Sequence, residues 1–81
     1  MNYLQVNPTA ESRNVSRELL EALDDLVEDF TIRYCFIPVN SADEAISRLS
    51  NLPAQSGEDR SVIGEIVRLL KSGNEVELLY G

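Results

Sequence analysis

Apolar residues recur along this chain in two periods, and the places where the period changes mark its elements. Tyr3-Leu4-Gln5-Val6 alternates and predicts a short strand, closed by Asn7-Pro8. Asn is a good helix cap and Pro is tolerated at a first helical position, so a helix begins there or at Asn14. Val15, Leu19, Ala22, Leu23, Leu26, Val27 and Phe30 follow at three- and four-residue steps, the stripe of an amphipathic helix. From Phe30 to Ile37 the period drops to two. Phe30, Ile32, Tyr34 and Phe36 then share one face, Thr31, Arg33, Cys35 and Ile37 share the other, and Pro38 ends the strand.

Ser41-Ala42-Asp43-Glu44 has the spacing of a capping box, followed by a short helix that turns Ala45, Ile46, Leu49 and Leu52 inward. Asn51-Leu52-Pro53 stops it. Ser56, three residues ahead of Asp59, opens a third helix with Val62, Ile63, Ile66, Val67, Leu69 and Leu70 as its apolar stripe. Gly73 suits its left-handed end, and Arg68 and Lys71 suit the negative end of its dipole. Gly64, within that helix, is expected to allow close helix packing. Glu75 to Tyr80 alternates again and closes the chain as a strand.

The resulting order, β-α-β-α-α-β, places the chain in the α/β class as a single small domain, residues 1–81, with a three-stranded sheet and helices mainly on one face. Helical crossovers favour parallel strands in spatial order 1-2-3, with a mixed sheet as the alternative. One sheet face is then open, presenting Thr31, Arg33, Cys35 and Ile37 beside Glu75, Glu77 and Leu79. Parallel sheets are usually covered on both faces, so an open face predicts a partner or a second copy. Arg33, Ile37, Leu79 and Tyr80 are the residues expected on a dimer surface.

Composition narrows the chemistry. The 81 residues contain 14 Asp and Glu against 7 Lys and Arg, no histidine and one cysteine. Without histidine there is no Ser-His or Cys-His nucleophile, no usual neutral-pH general base and no commonest metal ligand. A chain this short has little room for a deep pocket. Cys35 lies in a predicted strand and reads as a small hydrophobe, and neither a disulfide nor a zinc site can be built from it alone. A signal pattern and an apolar run of membrane-spanning length are both missing, which suits a cytoplasmic protein. No cofactor, metal or catalytic residue is expected, and the protein reads as a non-enzyme.

The acids are not spread evenly. Six of the twelve residues from Glu18 to Asp29 are acidic. Glu18, Glu21, Asp25 and Glu28 form one helical ridge, flanked by Asp24 and Asp29, opposite the Leu stripe. A solvated face in an acidic protein is the plain reading. The functional one is a charge array that docks on a basic partner, a nuclease, toxin or nucleic-acid-binding complex. A third reading has Glu21 with Asp25, or Asp24 with Glu28, touching a divalent ion, although no calcium-loop spacing is present. Arg60, Arg68 and Lys71 line one side of the third helix, but Glu65 and the net charge of −7 oppose direct nucleic-acid binding.

Two segments resemble known families. Leu4-Gln5-Val6, the helix Val15 to Val27, Thr31-Ile32-Arg33 and the Ser-capped start Ser41 to Ala45 resemble the amino-terminal module of Phd/YefM-type antitoxins, without that family's glycine hairpin. Leu69 to Leu78 resembles the helix-to-strand segment that precedes the helix-turn-helix of excisionase-type antitoxin regulators. In size and charge the chain is also similar to small phage anti-defence proteins, including anti-CRISPR inhibitors. These resemblances imply a cytosolic bacterial or phage protein that neutralises a partner, and they assign a role to no single residue. The alternative expectation is a homodimeric scaffold or regulatory module pairing through the open sheet face or the edge strand.

Overall fold

The structure is a computed structural model that describes residues 3–7, 11–30 and 36–80, excluding the side chains of Asp29, Phe30, Phe36 and Tyr80. The elements are β1 (Tyr3–Val6), β2 (Arg13–Asn14), α1 (Arg17–Phe30), β3 (Phe36–Ile37), a 3-10 turn (Val39–Ser41), α2 (Ala42–Leu49), α3 (Gly57–Lys71) and β4 (Val76–Tyr80). This is an α/β fold in the expected order, with the two-residue β2 added at the sheet margin. Phe30 ends α1 rather than opening the strand, and Thr31 to Cys35, Arg33 included, lie outside the described residues.

The sheet runs β2-β1-β4-β3, and all of its pairings are antiparallel. The expected parallel order 1-2-3 is therefore corrected. Since β1 and β3 both oppose β4, they point the same way, and β1-α1-β3 is a crossover whose gap β4 fills. One helix would return the chain to run parallel. Two in succession, α2 and α3, turn it twice, so it enters β4 from the end at which it left β3.

Alternation along the paired strands decides which face carries the core. Leu4, Val6, Ile37, Val76 and Leu78 are buried, and they meet the apolar stripes of α1, α2 and α3 in one cluster. Ile37 pairs with Val76 and is 0% exposed, so it points toward the helices, the reverse of the expected facing. It is consequently removed from the candidate dimer surface. Tyr3 and Leu79 are 39% and 38% exposed on the opposite face, which also carries the half-buried Gln5, paired with Leu79, and Glu77.

Local chemistry fixes the ends of the elements. Asn7 is not a helix cap: at φ 67° it leaves β1 in the left-handed region, which Asn tolerates better than most residues. Its amide donates to the Glu77 carbonyl (2.7 Å) and its Oδ1 accepts from the Glu77 amide (3.1 Å), extending the β1–β4 pairing. The predicted capping box at Ser41 is not formed, because a 3-10 turn leads into α2 and the Ser41 side chain makes no capping bond. At the far end of α3, Gly73 at φ 79° donates to the Leu70 carbonyl and Asn74 to the Leu69 carbonyl, both 3.1 Å, a Schellman ending.

Candidate functional site

The chain's one buried charged group among the described residues is Asp59, 0% exposed at the third position of α3. Its amide donates to the Ser56 hydroxyl (3.1 Å), the cap expected from the sequence. Its carboxylate accepts from the Ser16 amide (2.9 Å), the Ser16 hydroxyl (2.6 Å) and the Gln55 amide (3.0 Å). Ser16 in turn caps α1, its Oγ accepting from the Leu19 amide at 3.2 Å. A single carboxylate thus serves the positive ends of two helix dipoles. Burial works to raise its pKa. The hydrogen bonds from the Ser16 side chain and amide, the Gln55 amide and Ser56 outweigh that penalty and hold it below its ordinary value. Both carboxylate oxygens accept hydrogen bonds from the segments that start α1 and α3, which makes this group a structural joint. Nearby, Arg13 ties β2 to α3, with Nη1 3.0 Å from the Ser61 hydroxyl and Nη2 3.2 Å from the Glu65 carboxylate.

Surface charge is divided between two helices. On α1, Glu18, Glu21, Asp24, Asp25 and Glu28 are all exposed, opposite the buried Leu19, Leu23 and Leu26. The Asp29 side chain lies outside the described residues. Within this ridge Glu21 meets Arg17 at 3.2 Å, a solvent-exposed i,i+4 pair of the kind that contributes little. α1 carries no basic residue in its last turn, so Glu28 sits at the end its dipole disfavours. Among the described residues no three acids or cysteines converge closely enough to hold a metal ion.

The outer side of α3 has the opposite character. Arg60, Gly64, Arg68 and Lys71 are exposed at steps of four, four and three residues, one helical face. No ion pair joins these three cations to any described residue. Glu65, which the sequence sets against them, is instead engaged by Arg13. A Cβ built on Gly64 meets nothing within 4 Å, so among the described residues this glycine serves no close packing, contrary to expectation.

Of the residues expected on a dimer surface, Leu79 is exposed, Ile37 is core, and Arg33 and the Tyr80 side chain lie outside the described residues. Cys35 does too. The joint at Asp59 is not legible in the sequence because its partner, Ser16, is a cap 43 residues earlier, in a stretch where Asn7 and Asn14 also offer helix starts. The only signal for it is Ser16 itself, a capping residue immediately before the acidic, apolar-striped helix. No helix among the described residues is long and apolar enough to cross a membrane. Compared with protein-family models, with curated proteins and with solved structures, the chain matches none, so its functional reading rests on its own residues.

Proposed function

We propose that the protein is a non-enzymatic, cytoplasmic inhibitor that neutralises a basic, nucleic-acid-binding partner, in the manner of an antitoxin or a phage anti-defence protein. The observation that carries this reading is the α1 ridge, five exposed acids on one helical face, of which Glu21 pairs with Arg17. Such an array resembles a short run of phosphates in charge density and would compete with nucleic acid for the same basic groove. Its acids sit opposite a rigid apolar stripe that is fully buried, so the ridge is presented without rearrangement. The test is binding of a basic nuclease or toxin partner by wild type and by the E21K/D25K/E28K variant as a function of salt. The variant is expected to lose affinity and to flatten the salt dependence. Unchanged affinity and slope would refute charge docking.

A second reading, a homodimeric module, is favoured by Tyr3 and Leu79, exposed on the sheet face away from the described helices, with Leu79 paired to Gln5 and diagonal to Tyr3. It requires Leu79→Asp to dissociate a wild-type dimer, with little dependence on salt.

A further inference from the structure

The outer face of α3 poses a problem that the proposed inhibitor role does not absorb. In a chain of net charge −7, three of seven basic residues are gathered there without an ionic partner among the described residues. Gly64 at its centre costs about 1 kcal/mol relative to Ala in a helix interior, and no contact among the described residues offsets it. An exposed glycine flanked by cations lets another backbone approach the helix axis closely while the long side chains reach around it.

The same chain carries a surface that fits. At 1.5 Å per residue the ridge from Glu18 to Glu28 is about 15 Å long, and the stripe from Arg60 to Lys71 about 16 Å. Laid antiparallel, Glu28 faces Arg60, and Glu18 and Glu21 face Arg68 and Lys71. This orientation also resolves two misplacements. Glu28 lies at the negative end of α1 and Arg60 just behind the positive end of α3, and each would be brought to the opposite pole of the partner helix. We propose that the Arg60-Gly64-Arg68-Lys71 face of α3 receives the acidic α1 face of a second copy of this chain, the two helices crossing at Gly64. Each copy offers both faces, so the contact closes as a two-fold dimer or continues as a chain of copies. It occupies the ridge that the inhibitor reading assigns to a foreign partner, and self-association would then hold that ridge in reserve.

The test is sedimentation velocity of the full chain at about 0.1 M salt, where repulsion between net charges is screened beyond about 10 Å while side chains in contact still attract. The sedimentation coefficient is expected to rise with concentration, and to return to the monomer value at about 1 M salt. E21K/D25K and R60E/R68E are each expected to be monomeric alone and to associate when mixed, because only the mixture restores opposite faces. Gly64→Leu leaves every charge in place and is expected to weaken association about tenfold by blocking close approach. Far-UV circular dichroism verifies that each variant is folded. A wild type that stays monomeric, a mixture that fails to associate, or R60E/R68E associating like wild type would overturn the proposal. So would a monomeric wild type that binds a labelled nucleic-acid duplex through Arg60 and Arg68. The inhibitor reading fails separately, since R60E/R68E should lose self-association and still bind a basic partner.

Discussion

Replacing Asp59 tests whether one carboxylate joins the two helix starts. Asp59→Ala removes the acceptor of three hydrogen bonds and leaves the Ser16 and Gln55 amides without partners. A hydrogen bond to a charged group contributes about 1.5–3 kcal/mol, and a stranded buried donor costs about 1–3 kcal/mol. The three bonds share one acceptor and do not add. Ser16 is only half-buried and Gln55 is exposed, so water recovers part of the loss. The expected destabilisation is therefore about 3 kcal/mol, against a total stability for a chain of this length of about 4–12 kcal/mol. In urea unfolding followed by far-UV circular dichroism, with a slope of about 1 kcal/mol/M, the midpoint falls by about 3 M. Asp59→Asn keeps one acceptor but turns an amide N–H₂ toward a donor, and should lose about 2 kcal/mol. The pH dependence supplies an independent check. The folded-state pKa is lowered, so the charged form's contribution is fully present above the unfolded value of about 3.9 and is lost as pH falls through the lower folded value. The gap between wild type and Asp59→Asn should stay constant from neutral pH down to about 5 and narrow below about 4. A gap under about 1 kcal/mol at neutral pH, or one that widens in acid, would refute the account.

Other substitutions separate surface from core. Gly64→Ala should raise stability by about 1 kcal/mol, read as a thermal midpoint about 4–8 °C higher, since the new methyl meets nothing and the helix gains propensity. Gly73→Ala should do the opposite, lowering stability by about 1 kcal/mol or more in urea unfolding, because at φ 79° a side chain is strained whatever the space around it. Ile37→Ala should cost about 2–5 kcal/mol as a fully buried truncation, whereas Leu79→Asp should change monomer stability by less than about 1 kcal/mol. Equal losses at Ile37 and Leu79 in chemical denaturation would contradict the facing of β3 and β4.

What the sequence made legible follows from the range of the interactions involved. The stripe from Val15 to Val27, the Ser56 cap and the Gly73 ending are set by neighbours within a turn or two, and local pattern is enough to find them. The parallel sheet order does not hold because strand direction depends on how many times the intervening helices reverse the chain, and the α2-α3 pair reverses it twice. The facing of Ile37 is beyond local pattern for a related reason. Period two says that Phe36 and Ile37 differ in facing, but only pairing with Val76 says which of them meets the helices. The capping box at Ser41 shows a third kind of failure: its residues are correctly spaced, yet the 3-10 turn after Pro38 gives Ser41 a backbone geometry of φ −111°, ψ 18° rather than the extended one a cap requires. The acidic ridge was readable because it lies on one helix. The joint at Asp59 was not, because it connects residues 43 positions apart.

The division of charge between α1 and α3 is a consequence of the one-sided architecture. All three helices stack on the same face of the sheet, so each spends its apolar stripe on a shared core and keeps a polar face for solvent. Asp59 draws the starts of α1 and α3 together, and Arg13 binds β2 to the flank of α3 through Glu65. Those two contacts engage two acids of α3, Asp59 and Glu65, and leave its outer face basic, while on the α1 ridge Glu21 pairs with Arg17 of the same helix. The same ties that hold the helices in place therefore sort the surface into opposite signs. A fold that sorted charge only to stabilise itself would put acids at helix starts and bases at helix ends. α3 follows that rule in Glu58, Asp59, Arg68 and Lys71, and departs from it at Arg60, as α1 departs from it at Glu28. The departures fall on the exposed faces, where stability is least affected and recognition of another surface is most direct.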